Sequence, residues 1–182
     1  MMNLEIWVAL AGVAVLFPAI WLYNRLVEDR NLARQGYADI DVQLKRRADL
    51  VPQLVEAVRG YAGYEKSLLT AVTELRSAAA SQPHLAGRFE KESALGERLK
   101  QLVLLQQNYP QLKADANFRD LAARLVEVED QLQFARRFYN GAVKQYLTRI
   151  ESFPDMVVAK LLGFKPMPFF ESEEKEAVKI SL

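Results

Sequence analysis

Cysteine is absent from the 182 residues, which excludes disulfides, thiol nucleophiles and cysteine-ligated metals. It leaves the compartment open, since proteins on either side of a membrane do without cysteine. Histidine occurs once, as His84 beside Pro83 in an expected turn, so one subunit cannot assemble a histidine metal cluster. Neither sign of charge is in excess: 24 Lys and Arg face 23 Asp and Glu, without the basic surplus of a nucleic-acid surface. Helix breakers are scarce, with eight glycines and seven prolines, and Pro154, Pro166 and Pro168 all fall near the end. No Walker sequence, G-x-G-x-x-G or G-x-S-x-G is present, and Ser67, Ser77 and Ser93 have no nearby base. A di-iron bundle needs inward Glu-x-x-His pairs, and the chain has none. The acidic group Glu127, Glu129 and Asp130 reads as a solvated face. These absences predict a protein that is not an enzyme and takes no metal, cofactor, small-molecule substrate or nucleic acid.

What the chain does have begins at its N-terminus. Residues 6–22 read IWVALAGVAVLFPAIWL, without a charge. As a helix this run reaches about 26 Å, close to the ~30 Å hydrocarbon core of a bilayer. Trp7 at one end and Trp21 and Tyr23 at the other are the rings that settle at membrane–water boundaries. The expected anchor comprises Ile6, Trp7, Leu16, Pro18, Trp21, Leu22 and Tyr23, within residues 1–23. A cleaved signal is disfavoured because no Lys or Arg precedes the run and no A-x-A follows it. A soluble core helix is disfavoured because an apolar helix needs protein on every side, and the remaining helices are amphipathic. Pro18 is tolerated within a span. Arg25, Arg30 and Arg34 follow the run and none precede it, so the expected topology is single-pass, with a short N-terminus outside and the bulk of the chain in the cytoplasm.

The rest reads as helix throughout, giving an all-α fold: an antiparallel bundle of four long helices plus a short C-terminal one. From Ala33 an apolar seam passes through Tyr37, Ile40, Leu44, Val51, Leu54, Val58 and Tyr61 in steps of four and three, with Arg30 and Arg47 filling two positions. Pro52 lies inside this helix, and the register survives it, predicting one helix kinked near Asp49 to Pro52 that ends by Gly60 and Gly63. A second helix is expected over 64–80 (Leu68, Val72, Leu75, Ala79). A third is expected over 85–108 (Phe89, Leu95, Leu99, Leu102, Val103, Leu105), broken by Tyr109-Pro110. The fourth, capped by Asp115 or Asn117, carries Phe118, Leu121, Leu125, Val128, Leu132, Ala135, Tyr139, Ala142, Tyr146 and Phe153, interrupted only by Arg149. A short amphipathic helix over 155–162 follows, so residues 24–170 form the bundle region and 171–182 a loose charged tail.

Two blocks of residues carry a family resemblance. Tyr23-Asn24-x-Leu26-Val27, Arg30-Asn31 and IDVQLKRRADLVPQLVEAVRGYAGYE (40–65) form the first. ARRFYNGAVKQYLTRIESFP from Ala135, then Gly163-Phe164 and Phe169-Phe170-Glu171, form the second. Together they resemble the LemA family from Tyr23 to Glu171. The chain departs from the family pattern at Tyr37-Ala38, usually Trp-Ser, and at Tyr64, often His; both keep a bulky ring in place. The resemblance implies a bacterial inner-membrane protein with one N-terminal span and a bundle of long antiparallel helices. It implies no defined activity, only a scaffold or accessory membrane role.

Polar residues in or beside the seams are candidates for a network inside the bundle: Arg30, Asn31, Asp41, Arg46, Arg47, Arg137 and Asn140. A buried guanidinium persists only if paired, so Asp41 and an acid on the fourth helix are expected to pair with Arg46, Arg47 or Arg137 and set the register. The alternative is that these heads snorkel to water over their stems. Phe153, Val157, Leu161, Phe164, Phe169 and Phe170 make a second candidate, an apolar interaction segment, with folding back onto the bundle as the alternative. The functional expectation is a membrane-anchored scaffold or protein-interaction module whose partners are the lipid bilayer and either its own copies or other membrane proteins. The alternative is an accessory or regulatory subunit of a membrane protease, transporter or signalling complex.

Overall fold

The computed structural model describes residues 2–61, 66–82 and 85–170, with all side chains there except those of residues 2–6, 8, 9, 11, 15 and 86. The expected tail (171–182), His84 and Tyr64 lie outside the described residues. The elements are α1 (Met2–Arg59), α2 (Lys66–Ala80), α3 (Leu85–Leu104), α4 (Pro110–Ala114), α5 (Ala116–Glu151) and α6 (Asp155–Leu161), with no strand among the described residues. Two compact units share α1 and α5. Unit 1 is Met1–Ala38 with Arg137–Pro168, and unit 2 is Asp39–Arg136 with Phe169–Leu182.

Unit 2 is an up-down-up-down helical bundle. Arg76 of α2 meets Ala48 of α1, Glu92 of α3 meets Arg47, and Glu129 of α5 meets Arg47 while Asp115, just before α5, meets Tyr61. Its core is built from Leu54, Val58, Val72, Leu99, Leu102 and Phe118, all essentially solvent-free. Pro52 does not interrupt α1. Proline lacks the N–H that the Ala48 carbonyl would accept, and Arg76 Nε of α2 donates to that carbonyl at 2.8 Å instead. A cross-helix bond thus satisfies the group that the proline leaves open.

The third helix stops sooner than its periodicity predicts. After Leu104 the chain tightens into a 3₁₀ turn, Leu105–Gln107, and Pro110 then opens the short α4 rather than only ending a helix. Proline suits a first helical position, where its missing N–H has no partner to lose. Asp115 caps α5: its Oδ1 accepts the Phe118 N–H at 2.9 Å, and its Oδ2 accepts the Tyr61 hydroxyl at 2.8 Å. The Phe118 N–H and then the Tyr61 hydroxyl hold this carboxyl below its ordinary value of 3.8. A depressed folded value means that the cap contributes above pH 3.8 and is lost as pH falls through that lower value. Asp115→Asn, a cap that cannot titrate, is expected to flatten the acid limb of a far-UV circular dichroism titration at that point.

In unit 1, α1 and α5 run antiparallel, with Tyr37 near Tyr139 and Asp29 at Arg149. The buried line of α1 is Leu22, Leu26, Asp29, Ala33, Gly36, Ile40, Leu44, Arg47, Val51, Leu54 and Val58, in unbroken four-three steps. This corrects the sequence expectation at both ends. Asp29 and Gly36 hold the positions assigned to Arg30 and Tyr37, which are only half-buried, and Tyr61 is exposed. An aspartate and a glycine disguise a seam because neither looks apolar by side chain. Gly36 is there for its missing Cβ, which would lie 3.0 Å from the Tyr139 Cα and 3.0 Å from Phe138 Cδ1. Backbone cannot swing aside as a flexible side chain can, so Gly36→Val is expected to cost about 1–3 kcal/mol by overpacking, read by urea unfolding.

Among the described residues no helix is long and apolar enough to cross a membrane. The uncharged run 6–22 includes residues 6, 8, 9, 11 and 15, whose side chains lie outside the described set; Ile6 of the expected anchor is one of them. Of the others, Trp7, Leu16, Pro18 and Trp21 are exposed, Tyr23 is partly exposed, and only Leu22 is buried.

Candidate functional site

Three assemblies concentrate the polar and aromatic chemistry of the molecule. The first is in unit 2. Arg47 has no solvent exposure, yet it carries a full charge into the core. Its Nη2 donates to the Glu92 carboxylate and to the Glu92 backbone carbonyl (2.8 Å), and its Nη1 donates to Glu129 Oε1 at 2.9 Å. Glu92 is itself buried, whereas Glu129 keeps about a third of its side chain in water. Gly96 makes room, since a Cβ there would meet Arg47 Nη1 at 3.1 Å. Arg136 lies over the Phe170 ring at 4.3 Å, and Phe170 stacks on Phe89 with centroids 4.1 Å apart.

Arg136 has no hydrogen-bond acceptor for its Nε among the described residues. Burial, then the neighbouring Arg47, lowers its pKa to about 10, against the pull of Glu129 and Glu92. A depressed folded value for a base means that its charge opposes folding at neutral pH, and that this opposition fades only as pH rises above about 10. Arg136→Met removes the charge and puts an uncharged side chain in place of the guanidinium over the Phe170 ring. It is expected to raise the melting temperature at pH 7.

The second assembly is in unit 1. Asp29 is 3% exposed, accepts Arg149 Nε, and accepts Gln145 Nε2 at 2.6 Å. Arg149 Nη1 also stands 3.9 Å from Asp155 Oδ1, an atom with no hydrogen-bond partner among the described residues. The third assembly fastens the chain after α6. The Tyr146 hydroxyl donates to the Lys165 carbonyl at 2.8 Å and the Tyr139 hydroxyl to the Pro168 carbonyl at 2.7 Å. Burial, then Tyr37, pushes the Tyr139 phenol up to about 12. Phe164 meets Tyr23 edge-on at 6.0 Å and lies under Arg30 at 4.9 Å.

The seven residues singled out from the sequence are therefore distributed unequally. Arg47 is the centre of the unit-2 cluster, and Asp41 pairs with Arg88 Nη2 at 2.6 Å. Arg30 is half-buried with its Nε lacking an acceptor, Asn140 is half-buried, and Asn31, Arg46 and Arg137 are exposed. Glu129, from a group that reads as a solvated face, supplies the fourth-helix acid expected opposite Arg47, and the residues that sequence reasoning passed over are Asp29, Glu92, Arg88, Gln145, Arg149 and Asp155. Two had a signal. Glu92 sits at the seam spacing between Phe89 and Leu95, and Arg149 interrupts an otherwise apolar rhythm.

The apolar segment divides. Phe170 is buried against Phe89 and Arg136, and Phe164 packs on Tyr23, so neither is free for a partner. Phe153, Val157, Leu161 and Phe169 are exposed, and Phe153 leaves the α5 seam altogether. Open surface grooves among the described residues include one of about 440 Å³ beside Val55, Leu69 and Thr73 and another of about 440 Å³ beside Lys144, Thr148 and Ser152. Among the described residues no group of three or more Asp, Glu or His is placed to hold a metal ion.

Long helices sharing a polar-studded seam, with a charged cluster in each unit tying them together, define a helical-bundle protein. Residues 36–182 match the LemA family, and the chain belongs to it. It is 24% identical to magnetosome protein MamQ 2 of Paramagnetospirillum magneticum, over 90% of this chain and 70% of that one. It is 23% identical to protein LemA of Metamycoplasma hominis, over 86% and 72%. MamQ of Magnetospirillum gryphiswaldense is 21% identical over 90% and 70%.

Proposed function

We propose that this chain is a membrane-anchored, non-enzymatic scaffold or protein-interaction module of the bacterial inner membrane, held by residues 6–22 with its bundle in the cytoplasm. The observation that carries the reading is the surface of the first part of α1. Trp7, Leu10, Val13, Leu16, Phe17, Ile20 and Trp21 all stand more than half exposed, an arrangement that suits lipid and not water. The buried ion pairs support the non-enzymatic part. Arg47 pairs with Glu92 and Glu129, and Asp29 with Arg149, so these charges are engaged in holding helices together. The two grooves are open, unlike the enclosing clefts that hold small molecules. Relatives named as magnetosome proteins agree with a role at an organised cell structure.

The test is extraction of the tagged full-length protein into nanodiscs, with mass measurement and identification of companions. It is expected to stay with membranes through an alkaline carbonate wash, and release into the supernatant overturns the anchor. A homogeneous homo-oligomer without companions supports the scaffold. One stoichiometric companion makes the chain an accessory subunit, and a companion-free monomer overturns both roles.

A further inference from the structure

We propose that α6 and the residues flanking it form a second membrane contact, an interfacial foot whose apolar face of Phe153, Val157, Leu161 and Leu162 lies in the headgroup layer of the bilayer. The inference rests on the anchor reading above and adds a site to it. Its first ground is the face itself. Val157 and Leu161 are one helical turn apart and share a side of α6, while Phe153, in the turn before the helix, and Leu162, at its C-cap, flank that side in sequence. Phe153 is 80% exposed and Leu161 79%, with Leu162 and Val157 at about half. Asp155 and Ala159, one helical turn apart, are the buried side of the same helix. Single exposed leucines are ordinary on a surface, but four large apolar groups exposed within the short stretch from Phe153 to Leu162 mark a contact.

The second ground is position, which selects lipid over a second copy of the chain. Both ends of α6 are fastened to the part of α1 next to the uncharged run. Before α6, Arg149 pairs with Asp29 and stands 3.9 Å from Asp155 at the helix start. After it, Phe164 packs on Tyr23 and under Arg30. Tyr23 follows Leu22, the last residue of that run. The foot therefore runs along α1 between the levels of Asp29 and Tyr23, and its Phe164 end meets the ring expected at headgroup depth. The Tyr146 and Tyr139 hydroxyls pin the following segment to α5, so α6 is held there.

Charge is the third ground. Lys160 and Lys165 are exposed beside the apolar face, and Arg25 lies over the Trp21 ring at 4.7 Å. Basic residues bordering a buried apolar face are the pattern of helices that lie in the interface of anionic bilayers. The exposed acids nearest in sequence, Glu28 and Glu151, do not outnumber them. A single span leaves a protein free to swivel about its axis. A second contact on one side of α1 fixes which side of unit 1 faces the membrane.

The absence of cysteine makes the test direct. Leu161→Cys, Val157→Cys, Trp21→Cys and Val126→Cys are each labelled with an environment-sensitive fluorophore on the full-length chain. The labelled proteins go into phosphatidylcholine–phosphatidylglycerol nanodiscs that contain phosphatidylcholine nitroxide-labelled near the ester end of its acyl chain. Labels at 157 and 161 are expected to lose emission to the nitroxide as the label at 21 does, while the label at 126 keeps its emission. Quenching at 21 with none at 157 and 161 overturns the foot and leaves the anchor standing. No quenching at 21 removes the anchor and the foot with it. Labels at 157 and 161 that are shielded in detergent in proportion to protein concentration, and are not quenched by nitroxide lipid, overturn the foot in favour of a contact between copies.

Discussion

Glu92→Ala is expected to destabilise unit 2 by about 3–5 kcal/mol, a sizeable part of the stability of an ordinary domain. Arg47 is sealed from water and has three acceptors; two of them, a carboxylate and a backbone carbonyl, belong to Glu92. Alanine keeps the carbonyl but removes the buried counter-charge, leaving the guanidinium with Glu129, which water partly screens. Glu129→Ala is expected to cost less, for the same reason. The discriminating variant is the double substitution Arg47→Met with Glu92→Met, which removes both charges and fills their volume. Buried pairs add little net stability over packed apolar groups, so this protein is expected to recover most of the loss. Urea unfolding of the full-length chain in detergent micelles, followed by far-UV circular dichroism, reads all four proteins. A double variant as unstable as Glu92→Ala would show that the pair itself, and not the stranded charge, carries the energy. Arg47→Met alone strands Glu92, and an unchanged melting temperature and oligomer state in that variant would remove any role for the pair in setting helix register.

The second large effect belongs to unit 1. Asp29→Ala is expected to cost about 3 kcal/mol, at the lower end for a broken buried pair because Arg149 keeps some exposure and has Asp155 within reach. The loss is expected to be local. Amide protons of α5 around Gln145 and Arg149, and those of α6, should exchange faster, while those around Leu54, Leu99 and Leu125 in unit 2 keep their protection. Hydrogen-exchange mass spectrometry makes that comparison peptide by peptide. Uniform loss of protection through both units would mean that Asp29 supports the whole fold and not the end that carries α6. Asp29→Asn keeps the shape and removes the charge: its single amide oxygen accepts from Gln145 or from Arg149 but not from both, and the guanidinium is left with Asp155, 3.9 Å away.

Much of this architecture is legible in the sequence, because helix periodicity is a local property. The four-three spacing of Ile40, Leu44, Val51, Leu54 and Val58 states which face of α1 is buried, and those residues are buried. Leu121, Leu125, Val128, Leu132 and Tyr139 do the same for α5, and Asp115 is found at the cap that its chemistry suggests. The helical class and the family follow from the same local patterns.

Which faces meet, and at what level, was decided only by the tertiary structure. Nothing local indicates that Arg47 takes its partners 45 and 82 residues further on, or that Asp29 takes its own 116 and 120 residues away. Asp29 reads as an ordinary surface acid, and the seam spacing of Glu92 names no counter-charge, until a guanidinium from another helix stands opposite, since only a partner lets a charge stay buried. Gly36 is silent for a related reason. Its function is to be small where Tyr139 brings a second backbone to it, and a close approach between helices leaves no mark on either helix alone. The split of the last apolar segment, with Phe170 buried and Leu161 exposed, was settled the same way. Composition marks such a segment as sticky, and the two tyrosine hydroxyls, the ring of Tyr23 and, at Phe170, Phe89 and Arg136 select which of its side chains are covered.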